Sequence, residues 1–173
     1  SMSKRGSHER VLSEFKNHKI DILIGTQMIA KGLDFPRVTL VGVVNADVTL
    51  NLPDFRASER SFNLLTQVAG RAGRGEEGGE VIIQTYAPGH YAIVCASKHD
   101  YEKFYTEEIK SRKELSFPPF VHIVKLTVRS RNEKSAEEAS RKLGEFLSKI
   151  LDGIELVGPA PSPIPRVRGY FRW

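Results

Sequence analysis

Cysteine and tryptophan each occur once in the 173 residues, and methionine only twice. A lone Cys95 forbids an internal disulfide and cannot by itself hold a structural zinc. It reads as a small buried apolar residue, and the expected compartment is a reducing one, the cytoplasm. Long apolar runs are missing too. The longest uncharged one, Val38–Val44, falls far short of the ~20 residues that span a bilayer. No basic-then-apolar signal segment opens the chain, and residues 1–3 read as a cloning remnant. Hydrophobic residues at 40% and charged ones at 27% exclude a disordered tail and a collagen-like fibre, and there is no internal repeat. Neither a Gly-x-x-x-x-Gly-Lys-Ser/Thr run nor an Asp-Glu pair occurs, so the sequence offers no cradle for nucleotide phosphates and Mg²⁺. The last ten residues lack acids altogether while carrying Arg166, Arg168 and Arg172. A net charge of +5 permits contact with a polyanion without demonstrating it.

What is there alternates between strand and helix. Val11, Leu12 and Phe15 recur at helical spacing and predict an amphipathic helix ending near His18. Ile20–Gly25 and Val38–Val44 read as buried strands that fit a parallel sheet covered on both faces, and Glu80–Tyr86 as a third strand. A helix is expected from Ala57 to about Ala72, opened by Pro53-Asp54 and closed by Gly73 and Gly75. This order predicts an α/β lobe over residues 4–96. Tyr101, Phe104, Tyr105, Ile109 and Arg112 fall on one face of a connecting helix within 97–116, which must stop before Pro118-Pro119. Residues 117–173 then read as a small, incomplete α+β domain. Its expected parts are an alternating strand over Val121–Val128 and a helix with a Ser135/Glu138 capping box and an apolar stripe from Ala136 to Ile150. A strand over Ile154–Val157 and a Pro-rich extended arm from Gly158 to Pro165 complete it.

Two segments carry chemistry. Gln67-Val68-Ala69-Gly70-Arg71-Ala72-Gly73-Arg74-Gly75 sets two arginines three residues apart, on one face of a helix, with glycines that admit close backbone approach. Both guanidinium forks can converge on one polyanion and neutralise charge on a transferred phosphoryl group. The same pattern is also an ordinary helix C-terminus with Arg near its negative end and Gly as the stop. Gly25–Pro36 follows a predicted buried strand, where α/β folds place ligands. There Thr26 and Lys31 suit a nucleic-acid phosphate and Gly32 and Asp34 a ribose, or Asp34 merely caps a loop.

Together the two segments resemble the second RecA-like lobe of superfamily 2 helicases: Thr26–Asp34 looks like motif V and Gln67–Arg74 like motif VI. Asn45-Ala46-Asp47, the Leu50–Arg60 block, Gln84-Thr85-Tyr86 and Phe117-Pro118-Pro119-Phe120 narrow the resemblance to the primosomal replication-restart helicases, as do Gly158–Pro161 and Arg166–Gly169. That resemblance implies a 3′-to-5′ DNA helicase that acts on stalled replication forks and starts primosome assembly. It assigns Arg71 and Arg74 to the ATP γ-phosphate and Gln67 to coupling, as the catalytic set. Gly32, Asp34 and Gly70 would lie at the nucleotide, and Thr26, Gln27 and Lys31 at the DNA backbone or the coupling path. Arg166, Arg168 and Arg172 are further candidates for DNA contact. ATP and Mg²⁺ are implied for the full-length protein, and zinc for a Cys-rich module ahead of motif V. The implied partners are forked and single-stranded DNA, single-strand-binding protein and primosome proteins, with no membrane. The chain would then hold half of an ATP site, inactive alone, and part of a DNA-binding domain. Asp54, Phe55, Arg56, Glu59 and Arg60 match the family without a catalytic role and suit fixing the motif VI helix. Two other readings stay open: a lobe of another superfamily 2 helicase, or a non-catalytic nucleic-acid-binding module.

Overall fold

The computed structural model describes residues 7–26, 35, 37–70, 72 and 78–173, and for residues 7 and 8 the backbone only. The chain divides into two compact units, 1–120 and 121–173. None of the described helices is long and apolar enough to cross a membrane.

In the first unit, helix α1 (Ser7–Lys16) is followed by strand β1 (Leu40–Val43), the short helix α2 (Asp47–Leu50) and helix α3 (Ala57–Ala69). Strand β2 (Glu80–Ile83) and helices α4 (Tyr91–Ser97) and α5 (Tyr101–Glu114) complete it. β1 and β2 pair in parallel, Leu40 with Glu80 through Val43 with Ile83. A parallel pair requires a crossover, and α2 and α3 occupy it. The core gathers Ala46, Phe62, Leu65, Ala92, Ile93, Cys95, Ala96 and Phe104, with Val43 and Ile83 of the sheet packed against it. Phe62 of α3 stacks on Phe104 of α5 at 4.2 Å between ring centroids, so α5 is part of this unit. Cys95 is buried within α4, where burial pushes its thiol pKa up.

Three expectations change here. Residues 20–26 form no strand, and Ile22 and Ile24 are exposed; extended backbone becomes a strand only when a neighbour takes its hydrogen bonds. Leu40 and Ile82 are likewise exposed, so the sheet is covered on the Val43–Ile83 face and open on the other. On α5, Tyr101 and Tyr105 are exposed, the buried residues are Phe104 and Glu108, and Arg112 is half-buried beside them. Glu108 tolerates burial because Tyr91 donates its hydroxyl proton to Oε2 at 2.6 Å while Arg112 Nε donates to Oε1 at 2.7 Å.

In the second unit, strand β3 (Arg129–Ser130) leads into helix α6 (Glu133–Ile150), and β4 (Arg166–Val167) and β5 (Tyr170–Arg172) follow. The antiparallel order is β3-β5-β4. The cap of α6 is Asn132, whose Oδ1 accepts the Ser135 N–H at 3.0 Å, in place of the expected Ser135/Glu138 box. Ala136 and Ser140 are its buried residues, whereas Phe146 and Ile150 at the end of the expected stripe are exposed. Strand structure begins at Arg129, beyond the predicted 121–128 segment, although Val128 and Trp173 exchange two backbone hydrogen bonds. Residues 154–157 also form no strand. The Pro-rich arm is extended and is held at both ends. A Cβ on Gly144 would meet Pro159 at 3.4 Å, and the Arg172 N–H donates to Pro165.

Candidate functional site

The C-terminal ends of β1 and β2 lie side by side, where parallel sheets present their ligands. Asp47 joins them. Its carboxylate accepts the Thr85 hydroxyl at 2.8 Å and the Tyr86 N–H at 3.0 Å, and its own N–H donates to Asn45. The Tyr86 N–H and then the Thr85 hydroxyl hold the Asp47 pKa below its ordinary value. The Asn45-Ala46-Asp47 and Gln84-Thr85-Tyr86 segments therefore act as one structural clasp. Beside it the Tyr86 side chain is 94% exposed.

Helix α3 is fixed at its start by the Pro53–Arg60 block. Asp54 Oδ1 accepts the Arg56 N–H at 3.0 Å, and Asp54 Oδ2 lies 2.9 Å from Arg60. The backbone bond from Arg56, then its side chain, lowers the Asp54 pKa. One turn on, Glu59 accepts from Arg112 at 2.7 Å, and the Arg112 guanidinium lies 5.2 Å from the centre of the Phe55 ring. These residues set the axis of the helix that leads to Gln67 and Gly70. Gln67 is exposed on α3, which ends at Ala69, about three residues before the expected stop. Gly70 is the C-cap, and its N–H donates to Thr66 at 3.0 Å. Arg71 and Arg74 lie outside the described residues, as do Gln27, Lys31, Gly32 and Asp34. Thr26 is described and exposed. Among the described residues no group of three or more His, Cys, Asp or Glu could hold a metal ion.

In the second unit the register sorts the predicted arginines rather than gathering them. Arg166 pairs with Phe171, and its guanidinium sits 5.0 Å from the centre of that ring. Arg172 pairs with Arg129, on the opposite face, together with Tyr170 and Val167. Arg168 and Gly169 form the two-residue turn between β4 and β5, with φ of 50° and 83°. Sequence reading missed Arg129 and Arg131. Their basic-polar-basic spacing in Arg129-Ser130-Arg131 is a strand-period signal, and it becomes informative only once β5 fixes their common face. Arg131 reaches over the Tyr170 ring, 5.6 Å from its centre.

With this geometry in place, comparison with known proteins adds the following. Residues 2–76 match the helicase conserved C-terminal domain, and residues 113–173 match the primosomal protein N C-terminal domain. The chain is 50% identical over 172 residues to replication restart protein PriA of Bacillus subtilis, covering 99% of this chain and 21% of that protein. Its counterpart from Synechocystis sp. is 43% identical over 171 residues, with 98% and 21% covered. The one from Haemophilus influenzae is 40% identical over 174 residues, with 100% and 24% covered. The chain thus spans about a fifth to a quarter of these relatives' length.

Proposed function

We propose, for a chain that belongs to the PriA family of replication restart proteins, that it supplies the second half of an ATP site and part of the DNA-binding surface of a 3′-to-5′ DNA helicase. The observation that carries this reading is the match to replication restart proteins over 99% of this chain, with the helicase C-terminal domain matched across both motif segments. Arg71 and Arg74 would face the γ-phosphate and neutralise the charge that develops in transfer. Gln67 would couple the nucleotide to α3, and Gly32, Asp34 and Gly70 would border the sugar and phosphates. Thr26, Gln27 and Lys31 would follow the DNA backbone.

Arg71 and Arg74 follow Ala69, the last residue of α3, by two and five positions in sequence, and a charge that must not reorganise during transfer has to be placed beforehand. The Asp54–Arg60 and Glu59–Arg112 contacts support this by anchoring the far end of α3. Magnesium and the phosphate cradle would come from elsewhere in the protein, since no such motif stands in these 173 residues. Zinc would belong to a Cys-rich module outside this segment. The whole protein would work in the cytoplasm on forked and single-stranded DNA, with single-strand-binding protein and primosome proteins as partners.

The test is DNA-stimulated ATP hydrolysis, measured for the 173-residue chain and for a full-length protein carrying this segment. Turnover is expected from the full-length protein only. Turnover by the 173-residue chain above a buffer blank, with contaminants controlled, would refute the half-site reading.

A further inference from the structure

Charge in the second unit is segregated by element. Residues 121–132 and 158–173 contain six Lys and Arg and no Asp or Glu, whereas 133–157 contain four Lys and Arg against six Asp and Glu. The acids therefore belong to α6 and the segment after it, and the strands are purely basic. The register then concentrates that charge. Arg129 and Arg172 are cross-strand partners, Arg131 reaches over Tyr170, and Tyr170 lies between them on the same face. Among the described residues none of these arginines makes a salt bridge, and Arg129, Arg131 and Tyr170 are exposed. Arg168 adds a second, independent observation. It occupies a left-handed position, φ 50°, at the first place of a two-residue hairpin turn. Gly, Asn or Asp is the unstrained choice there, and an Arg accepts conformational strain. Strain kept at an exposed cationic tip points to a use for the cation.

We propose that this sheet face, centred on Tyr170 and flanked by Arg129, Arg131, Arg172 and the Arg168 tip, is a binding surface for single-stranded DNA. An unpaired base stacks on Tyr170 while the guanidinium groups hold the flanking phosphates. An exposed ring set among arginines is the reason to favour a nucleic acid over an acidic peptide, which offers charge but no base to stack. A strand rather than a duplex is the occupant, because stacking on Tyr170 needs a base free of its partner. The proposal rests on the DNA-binding part of the function above and is independent of its ATP half.

The experiment is fluorescence anisotropy of labelled dT20 with the 173-residue chain, over a series of salt concentrations. The Arg129→Gln/Arg131→Gln variant should lose affinity on the order of tenfold and flatten the log–log salt slope by about 1.4, two single-strand phosphate contacts at ~0.7 each. The Lys134→Gln/Lys142→Gln variant removes equal charge from α6 and should stay within about threefold with an unchanged slope. Tyr170→Ala should weaken binding at least fivefold, and Tyr170→Phe should restore it. Arg168→Gly should bind more weakly yet melt at a higher temperature. Equal losses in the two charge variants would overturn the proposal. So would an unchanged Tyr170→Ala, or displacement of dT20 by a glutamate hexapeptide as effective as unlabelled dT20. Circular dichroism checks folding, and the conservative Tyr170→Phe arm stays informative if a charge variant fails to fold. Because no ATP is used, a negative result here leaves the half-site reading standing.

Discussion

Arg112 shows how one residue can be decisive without touching chemistry. Its guanidinium bonds Glu108 and Glu59 at 2.7 Å each, donates to the Pro118 carbonyl at 3.3 Å and lies over Phe55. Removing one partner of a buried pair leaves a desolvated charge behind, at about 3–5 kcal/mol. Glu59 is 43% exposed, so part of that cost is relieved by water. We expect Arg112→Ala to destabilise the chain by ~2–4 kcal/mol in a urea melt; a change within ~0.5 kcal/mol would show the network to be incidental. Asp47 makes a pH prediction. Its pKa is depressed in the fold, so its contribution is complete above the ordinary unfolded value of about 3.9 and disappears as pH falls through the folded value. Asp47→Asn should flatten the acid end of a melting-temperature profile. At this scale the sequence was only partly legible. Asp54 announced itself as a helix opener, but nothing in the sequence singled out Glu108. Its partner Tyr91 stands 17 positions away, on a helix whose packing no local pattern reveals.

At the scale of elements, apolar periodicity located α1, α3, α5 and α6 to within a few residues, and also β1 and β2. It failed for 20–25, 121–128 and 154–157. Alternation records a capacity to pair, whereas a strand also needs a neighbour to accept its hydrogen bonds. Helix α4 went unread because its opening signal is a histidine. His90 is its cap, with Nδ1 accepting the Ala92 N–H at 3.2 Å, and burial pushes its pKa below the ordinary value. Protonation would destroy that acceptor. The cap is therefore intact above about pH 6.5 and its contribution is lost as pH falls through the lower folded value. His90→Asn retains an acceptor without a titration, and the dip in melting temperature on the acid side of pH 6.5 should disappear with it. Leu65 joins α3 to the core at 2% exposure, and Leu65→Ala should cost about 2–5 kcal/mol.

For the whole molecule, the division of labour follows the two units. The first packs a parallel sheet against a helix braced at its start; the second sets strands whose only charged residues are arginines beside a helix of mixed charge. The candidate ATP-site residues are named from two short contiguous runs of the sequence, most of which lie outside the described residues. The sheet face was not legible in the sequence, because Arg129 and Arg172 meet only through strand register. The role proposed for Arg71 and Arg74 is to act on the transferred phosphoryl group. Steady-state ATP hydrolysis by a full-length protein carrying Arg74→Ala, with Arg71→Ala beside it, measures this most directly. With either substitution kcat is expected to fall by ~10³–10⁵ while KM for ATP changes little. A rise in KM with kcat preserved would contradict that role and make these arginines ground-state binding groups.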